Sequence, residues 1–258
     1  MTRARHLNLL SSLKLKTLLR VLNGGPSFVR DFFRLKKQKG HDKTFPFGPL
    51  NPITFERQDE SGTMSGHYFH QDLLIARKIF RSNPQRHVDI GSRTDGFVAH
   101  VAVFREIEIL DIREQKSKVK NISYRKADLM ELQGEMRNYC DSISSLHAIE
   151  HFGLGRYGDP IDYYGYRKAI ANITHILQSG GTFYFSVPIG PQRIEFNAHR
   201  VFSIGYLLEL VREHYDVRSF SYVNDAGDLI EDVRLALNEV QANFGCHYGC
   251  GIFELHKR

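Results

Sequence analysis

The sequence predicts an α/β fold in which helices cover both faces of a mainly parallel β-sheet. From residue 68 onward, segments with helical spacing of apolar residues alternate with short runs rich in β-branched and aromatic residues. Such alternation is typical of a parallel sheet with helices on both sides. Polar motifs also follow the ends of successive strands, where ligands of such sheets bind. A chain of 258 residues is long enough for one large domain of this class.

Residues 1–62 are expected to precede this domain, which then occupies residues 63–258. Leucines between residues 7 and 22 recur at near-helical spacing with basic residues between them, which predicts a basic amphipathic helix. The Gly24-Gly25-Pro26 segment is expected to end this helix. Residues 34–62 are rich in glycine and proline, which indicates a linker or an irregular lid.

Charge is concentrated in this first part of the chain. Eleven Lys or Arg and two Asp give residues 1–43 a formal charge of +9, which leaves −3 for the rest. A nucleic-acid channel through the domain would need basic residues near the site, so no nucleic-acid partner is expected. The basic helix could pack against the domain or a partner subunit, or lie on an anionic membrane surface. Oligomeric state stays open.

The cysteines and the apolar runs indicate a cytoplasmic protein, which the basic helix could attach to a membrane surface. Three cysteines are few and odd in number, which fits a reducing compartment. Cys246 and Cys250 lie four residues apart, but no second ligand pair has metal-site spacing, so no metal is predicted. Lysines interrupt the leucine-rich stretch, which argues against a secretory signal. No apolar run reaches the length of a membrane span.

Each element of the expected domain has a segment of its own. The predicted helices are 68–80, 97–105, 163–177 and 204–214. The predicted strands are 87–90, 106–112, 122–124, 141–146, 182–188, 217–223 and 249–256.

The first polar motif follows the first predicted strand and spans residues 87–97. Gly91 lacks a Cβ, which lets the backbone approach a ligand. Gly96 precedes a predicted helix, whose free N–H groups favour a polar or anionic cofactor group. Arg93 stands where the dinucleotide fingerprint has a glycine, which disfavours a pyrophosphate. Taken alone, the motif also fits a tight connection that binds nothing.

Two carboxylates follow the next two strands. Asp111 ends the second strand and is placed to accept hydrogen bonds from ribose hydroxyls. Asp128 follows the third strand and could accept a hydrogen bond from an adenine amino group. Either residue alone is equally typical of a helix cap or a solvated turn. Their placement at successive strand ends favours a nucleoside-binding edge.

These motifs resemble those of the class I S-adenosylmethionine-dependent methyltransferases. The matching pieces are Asp89-x-Gly91, Asp111, Ala127-Asp128, the Leu-His-x-x-Glu-His ending of residues 141–151, and residues 180–188. More narrowly, residues 87–102, 147–160 and 195–202 resemble an uncharacterised bacterial methyltransferase-like family, a domain of unknown function linked to surface-polysaccharide synthesis.

The resemblance implies a three-layer Rossmann-like fold with seven strands, of which the last is antiparallel. It implies S-adenosylmethionine as the cofactor and a small-molecule or glycan hydroxyl as the acceptor. Together, the motifs and the resemblance predict ten cofactor-binding residues. They are Asp89, Gly91, Ser92, Arg93, Gly96, Asp111, Ile112, Asp128, Leu129 and His147.

Arg93 departs from the family pattern, which usually has glycine at this position. The loop could be remodelled so that Arg93 pairs with the methionine carboxylate, because a guanidinium fork matches a carboxylate. Alternatively, cofactor binding is impaired.

His151 with Glu150 is the predicted general base, because an acceptor hydroxyl benefits from a base with a near-neutral pKa. The alternative is that both residues only form a turn. The expected substrate-binding residues lie in two polar loops and are Tyr157, Asp159, Arg193, Asn197 and His199. Turn residues and solvated side chains would explain these loops almost as well. A methyltransferase-like binding or interaction protein without catalysis is the alternative function, and a nucleotide-sugar or NAD enzyme is a third.

Overall fold

The computed structural model describes residues 25–54, 61–131 and 134–258. The chain divides into two compact units, residues 1–63 and residues 64–258. The predicted leucine-rich helix over residues 7–22 lies outside the described residues.

The first unit contains helix α1 over residues 25–39. Gly25 and Pro26 therefore lie within the described part of this helix. The predicted linker begins at residue 40 rather than at residue 34. Among the helices of the described residues, none combines the length and apolar character that a bilayer crossing requires.

The second unit contains the remaining elements. The strands are β1 His87–Ile90, β2 Ile107–Asp111, β3 Ile122–Lys126, β4 Cys140–Leu146, β5 Leu177–Ile189, β6 Arg193–Glu195, β7 His199–Val201, β8 Tyr215–Val223, β9 Leu229–Ile230 and β10 Gly249–Lys257. The helices are α2 His67–Ser82, α3 Ala99–Ala102, α4 Gly165–Ile176, α5 Ile204–Val211 and α6 Leu237–Gln241. A π-helical turn, Thr94–Val98, leads into α3, and 3-10 turns cover Gly134–Met136, Ile149–His151 and Asn243–Gly245.

Eight strands form one sheet in the order β3-β2-β1-β4-β5-β10-β8-β9. The first five are parallel neighbours, while β10 pairs antiparallel with both β5 and β8. The chain order reverses between β1 and β4, which makes the carboxyl edge there the usual ligand position. This confirms the predicted mainly parallel α/β fold with an antiparallel last strand.

The predicted number of seven strands is wrong by one edge strand. The two-residue strand β9 pairs with Tyr222 and Val223 of β8. Such a short strand carries no alternating apolar pattern that a sequence reading can detect. The separate hairpin of β6 and β7 was likewise not predicted.

Apolar side chains cover both faces of the sheet. One cluster joins the sheet to α4 and α5 through residues such as Ile170, Ile173 and Leu207. The other joins it to α2 and α3 through residues such as Ile75 and Val101. Because both faces are packed, the polar groups of the sheet reach solvent mainly at strand ends, which leaves that edge for a site.

A buried polar network lies beneath the site in β1 and β4. His87 is 1% exposed, and its ring nitrogens lie 2.8 Å from Ser142 Oγ and 3.1 Å from Ser144 Oγ. Burial lowers the pKa of His87 from 6.5 to about 3. The folded protein therefore holds this ring neutral at pH values where the unfolded chain protonates it.

We expect His87 to make the protein less stable as the pH falls. The unfolded chain binds a proton as the pH falls through 6.5, whereas the folded chain does so only near 3. The free energy of unfolding should therefore fall by up to about 1.4 kcal/mol per pH unit below 6.5 from this residue. Guanidinium denaturation at pH 7, 6 and 5 should show this slope in the wild type and its loss in His87→Gln.

The pKa of Asp89 changes the free energy of unfolding with pH in the opposite direction to that of His87. Comparing the wild type with His87→Gln separates the two effects. Burial raises the pKa of Asp89 to about 6, so its stabilising contribution at low pH is lost as the pH rises from about 4 to 6. Both proteins retain Asp89, so most of its effect cancels in their difference; the remainder is the change at Ser144, whose hydroxyl contacts His87 and donates to Asp89. Equal slopes in the two proteins would contradict the assignment to His87.

Candidate active site

A cavity of about 540 Å³ lies beyond the carboxyl ends of the four adjacent strands β3, β2, β1 and β4. Its size is typical of sites for small molecules and cofactors. Eleven of the predicted site residues line it: Gly91, Ser92, Arg93, Asp111, Ile112, Asp128, Leu129, His147, His151, Tyr157 and Asp159. The structure thus brings together residues from four strand ends and from the loop after β4.

The turn after β1 is held by hydrogen bonds to the buried carboxylate of Asp89. Asp89 is fully buried and accepts hydrogen bonds from the Ser92 N–H (3.0 Å), Ser92 Oγ (2.6 Å) and Ser144 Oγ (2.6 Å). Gly91 has φ +67°, and a Cβ there would lie 3.1 Å from Ala148 Cβ. Asp89 does not line the cavity, so the structure corrects its predicted cofactor contact: Asp89 holds the turn that Gly91 and Ser92 present to the cavity.

Gly96 is also corrected, because the helical segment begins earlier than predicted. The π-helical turn starts at Thr94, which places Gly96 inside it rather than before it. A Cβ on Gly96 would lie 2.5 Å from Asp72 Oδ2 on α2. Gly96 lies away from the cavity lining, and its lack of a side chain serves the close packing of this turn against α2.

Arg93 lines the cavity, but its guanidinium fork is already paired. Its Nε donates to Asp95 Oδ1 at 3.1 Å and its NH2 donates to Asp95 Oδ2 at 2.9 Å. The same guanidinium lies 5.0 Å from the ring centre of Tyr68. Both members of the ion pair are more than half exposed, so the pair contributes little to stability and could open for another carboxylate.

Asp111 and Asp128 both face the cavity from successive strands. Asp111 is clamped by Arg113, whose NH2 lies 2.6 Å from Asp111 Oδ2 and whose Nε lies 3.0 Å from Oδ1. The Arg113 guanidinium also lies 4.4 Å from the ring centre of Tyr157. Asp128 accepts a hydrogen bond from the Met130 N–H at 2.9 Å. The carboxylates are therefore oriented before any ligand binds.

The partner of Glu150 differs from the prediction. Glu150 Oε1 lies 2.8 Å from His147 Nδ1 but 3.7 Å from His151 Nε2, because the 3-10 turn folds Glu150 back toward the residue three positions earlier. Burial acts to raise the pKa of Glu150, but the attraction and hydrogen bond of His147, together with the attraction of His151 and a backbone hydrogen bond, lower it. Glu150 is 1% exposed and does not line the cavity. It is a partner of His147 rather than of His151.

His151 has the free nitrogen that a general base needs. Its Nδ1 lies 2.6 Å from the carbonyl oxygen of Ala198, and a carbonyl only accepts, so Nδ1 carries the hydrogen. The lone pair of the neutral ring is then on Nε2. Burial lowers the pKa of His151, which keeps the ring neutral near pH 7. The same Ala198 carbonyl accepts a hydrogen bond from Arg156 at 2.9 Å.

The loop after His151 covers one side of the cavity. Asp159 holds this loop together, because its carboxylate accepts hydrogen bonds from the N–H groups of Gly153 (2.8 Å), Gly155 (3.2 Å) and Tyr157 (3.1 Å). The Tyr157 ring lies edge-on to His151 at 5.5 Å between ring centres. Of the two predicted substrate-binding residues in this loop, Asp159 therefore stabilises the loop, and Tyr157 contacts His151.

The other three predicted substrate residues lie outside the cavity lining. Arg193 pairs with Glu195 at 2.8 Å within the hairpin of β6 and β7, and Asn197 is exposed at its tip. His199 lies near the site, 6.5 Å from the His151 ring centre and 5.2 Å from that of Tyr248. Arg193 pairs with Val201 across the hairpin and Asn197 lies in its connecting turn, and neither residue lines the cavity.

Several lining residues escaped the sequence analysis: Tyr68, Arg113, Tyr124 and Arg156. Arg113 had a detectable signal, since it follows Asp111 by two residues at a strand end. Tyr68 had none, because its place depends on how α2 packs on the sheet.

Comparison with protein families gives one match. The model described as "Caenorhabditis protein of unknown function, DUF268" matches residues 84–239, more than half of the chain. The chain belongs to the DUF268 family. This description names Caenorhabditis proteins, so the match gives no support to the bacterial family that the sequence resembled. No curated protein sequence matches this DUF268 chain.

Solved structures resemble the DUF268 chain in fold. YcgJ from Bacillus subtilis is 14% identical with a TM-score of 0.50, covering 73% of this chain and 99% of that one. A phosphoethanolamine N-methyltransferase from Haemonchus contortus is 14% identical with a TM-score of 0.50, covering 76% of this chain and 55% of that one. The 1,6-didemethyltoxoflavin-N1-methyltransferase of Burkholderia thailandensis is 16% identical with a TM-score of 0.49, covering 90% of this chain and 89% of that one. At 14% identity, the likeness to the first two structures shows the fold alone: the DUF268 chain has the Rossmann-like methyltransferase fold.

Proposed function

We propose that this protein is an S-adenosylmethionine-dependent methyltransferase that acts on a hydroxyl group of a small molecule or glycan. The observation that carries this proposal is the shared cavity, in which the Gly91 turn, the carboxylates of Asp111 and Asp128, and His151 meet at the carboxyl edge of the sheet. Ligands of this sheet topology bind at that edge.

The residues present fit the proposed cofactor. Asp111 would accept hydrogen bonds from the ribose hydroxyls, and Asp128 would accept one from the adenine amino group. The Gly91 turn offers backbone without a side chain in the way. Arg93 would bind the methionine carboxylate after exchanging it for Asp95. When bound, S-adenosylmethionine supplies an electrophilic methyl group.

The chain's own residues would orient the acceptor and remove its proton. His151 presents Nε2 as the proton acceptor, and the hydrogen bond from Nδ1 to Ala198 fixes the ring. Tyr157 and Arg156 cover the same side of the cavity and would exclude water. Placing the acceptor in line with the methyl group supplies much of the rate, so positioning matters more than covalent chemistry.

The acceptor class is inferred from this loop and from a structural neighbour. Tyrosine and arginine beside a neutral histidine suit hydroxyl-rich ligands such as sugars. The Haemonchus contortus enzyme was crystallised with phosphomonomethylethanolamine and S-adenosylhomocysteine, which favours a small polar acceptor. Surface-polysaccharide synthesis in the cytoplasm, with peripheral membrane contact through the basic N-terminal segment, is the setting that we propose.

One observation favours the alternative of a methyltransferase-like binding protein without catalysis. Both cavity groups that would receive the cofactor's ribose and carboxylate are already paired, Asp111 with Arg113 and Arg93 with Asp95. If these pairs do not open, the cofactor cannot bind in the proposed manner.

Calorimetric titration with S-adenosylhomocysteine, the product of the cofactor, distinguishes the two functions. We expect the purified full-length protein to release heat with a dissociation constant in the micromolar range, corresponding to roughly −8 kcal/mol. A protein that remains folded by circular dichroism but gives no heat at millimolar ligand would refute the methyltransferase proposal. It would leave the binding-protein function in its place.

A further inference from the structure

Three metal-ligating side chains from distant parts of the sequence meet beside the cavity. These are His67 at the start of α2, His147 directly after β4, and Cys250 in β10. One donor atom from each lies within 4.8 Å of the other two. The described residues thus contain a group of two imidazoles and one thiol, which is a ligand set that zinc favours.

His147 is held as metal-ligating histidines usually are. Its Nδ1 lies 2.8 Å from the carboxylate of Glu150, while its buried Nε2 makes no hydrogen bond to nitrogen or oxygen among the described residues, and the Cys250 thiol lies beside the ring. A carboxylate on the far nitrogen orients the ring and strengthens the other nitrogen as a ligand. A thiol is only a weak hydrogen-bonding group, so a metal ion bound by both this nitrogen and the Cys250 sulfur would satisfy the buried nitrogen better than the thiol alone. The backbone of His147 also adopts a left-handed conformation, φ +51°, which a non-glycine residue holds only at a cost.

His67 and Cys250 complete the arrangement from the other two sides. The His67 ring lies nearly parallel to the His147 ring, with 5.1 Å between ring centres. Cys250 is fully buried and has no disulfide partner. Its sulfur makes long contacts, 3.6 Å to Gln71 Oε1 and 3.9 Å to its neighbour's carbonyl oxygen, and also interacts with His147. Hydrogen bonds of a thiol are weak, so a metal can replace them at little cost.

We propose that His67, His147 and Cys250 bind a zinc ion. Bond lengths of about 2.0 Å to nitrogen and 2.3 Å to sulfur place the donors of a tetrahedral site roughly 3.3–3.6 Å apart. The donor atoms lie within 4.8 Å of one another, so the side chains must move closer and the two nearly parallel imidazole rings must turn toward a common point for an ion to be bound. Three protein ligands leave a fourth position for water or substrate, as in catalytic zinc sites.

The fourth position is near the cavity because His147 lines it. A zinc ion there could bind an acceptor hydroxyl beside the proposed methyl donor, and this role rests on the proposed function. Zinc binding itself does not, because it is titrated in the absence of cofactor; His147 is the one ligand that is also a predicted cofactor-binding residue. Metal binding and cofactor binding are therefore measured separately.

Metal titration of the untagged, full-length protein tests the site. The protein is stripped with a chelator and titrated with Co²⁺, and then with Zn²⁺ against a chromophoric zinc indicator. We expect one Co²⁺ per chain, with the intense visible bands of tetrahedral coordination and a thiolate-to-cobalt charge-transfer band. The charge-transfer band reports sulfur ligation directly and needs no enzymatic activity.

The two buried cysteines of the last strand region give a matched pair of variants. Cys250→Ser should lose the charge-transfer band and bind Zn²⁺ at least 100-fold more weakly. Cys246→Ser removes a free, buried thiol four residues away. This variant should retain the charge-transfer band and the wild-type affinity for Zn²⁺. Should Cys250→Ser fail to fold, His67→Gln replaces a ligand at the partly exposed start of α2 and should weaken Zn²⁺ binding at least tenfold. Substoichiometric binding by the wild type, or a charge-transfer band that follows Cys246 instead of Cys250, would overturn the proposal.

Discussion

Asp111→Ala is expected to weaken the binding of S-adenosylhomocysteine at least about 100-fold. Asp111 faces the cavity, is 13% exposed in its side chain, and is oriented by two hydrogen bonds from Arg113. A carboxylate that accepts from two ribose hydroxyls contributes about 1.5 to 3 kcal/mol per hydrogen bond. Loss of both corresponds to two or more orders of magnitude in the dissociation constant.

Asp216→Ala is the control for this substitution. Asp216 forms an equivalent ion pair with Arg258 at 2.8 Å, but it lies at the amino end of β8, away from the site edge. Its removal should leave the affinity unchanged in the same calorimetric titration. An Asp111→Ala protein that binds as tightly as the wild type would show that Asp111 does not hold the ribose.

Gly153→Ala is expected to destabilise the protein by about 3 kcal/mol. Gly153 begins the loop that covers the cavity and has φ +76°, which costs an L-residue about 1–2 kcal/mol. A Cβ there would lie 2.0 Å from the carbonyl oxygen of Asp162, so the loop must also shift. Overpacking of this kind adds about 1–3 kcal/mol. The melting temperature should fall by roughly 6–12 °C.

Gly158→Ala separates the cost of the positive φ angle from the cost of the steric contact with Asp162. Gly158 lies in the same loop with φ +81°, but a Cβ there meets nothing within 4 Å. This variant should lose only the conformational part, about 1–2 kcal/mol. Thermal and guanidinium denaturation of both variants measure the difference. Equal losses would mean that the Asp162 contact does not constrain the loop.

The sequence determined the elements of the sheet and the edge at which polar residues collect. Apolar spacing with periods of two and of about 3.6 residues is a local property, and it placed β1, β2, β4, β8 and β10 within two residues of their observed bounds. Carboxylates and glycines at strand ends then predicted the cavity, because the ends of parallel strands share one edge. The two-residue strand β9 escaped because it is too short to have a period.

Only the tertiary structure decided which side chains meet at that edge. Spacing in the sequence suggested that Glu150 serves His151, but the turn brings it 2.8 Å from His147 instead. Likewise, His67, His147 and Cys250 lie on a helix, a loop and the last strand, so no local motif joins them. Their meeting depends on the docking of α2 against the sheet and on the antiparallel insertion of β10 beside β5. Periodicity acts over a few residues, whereas such contacts are set by packing between elements that are far apart in the chain.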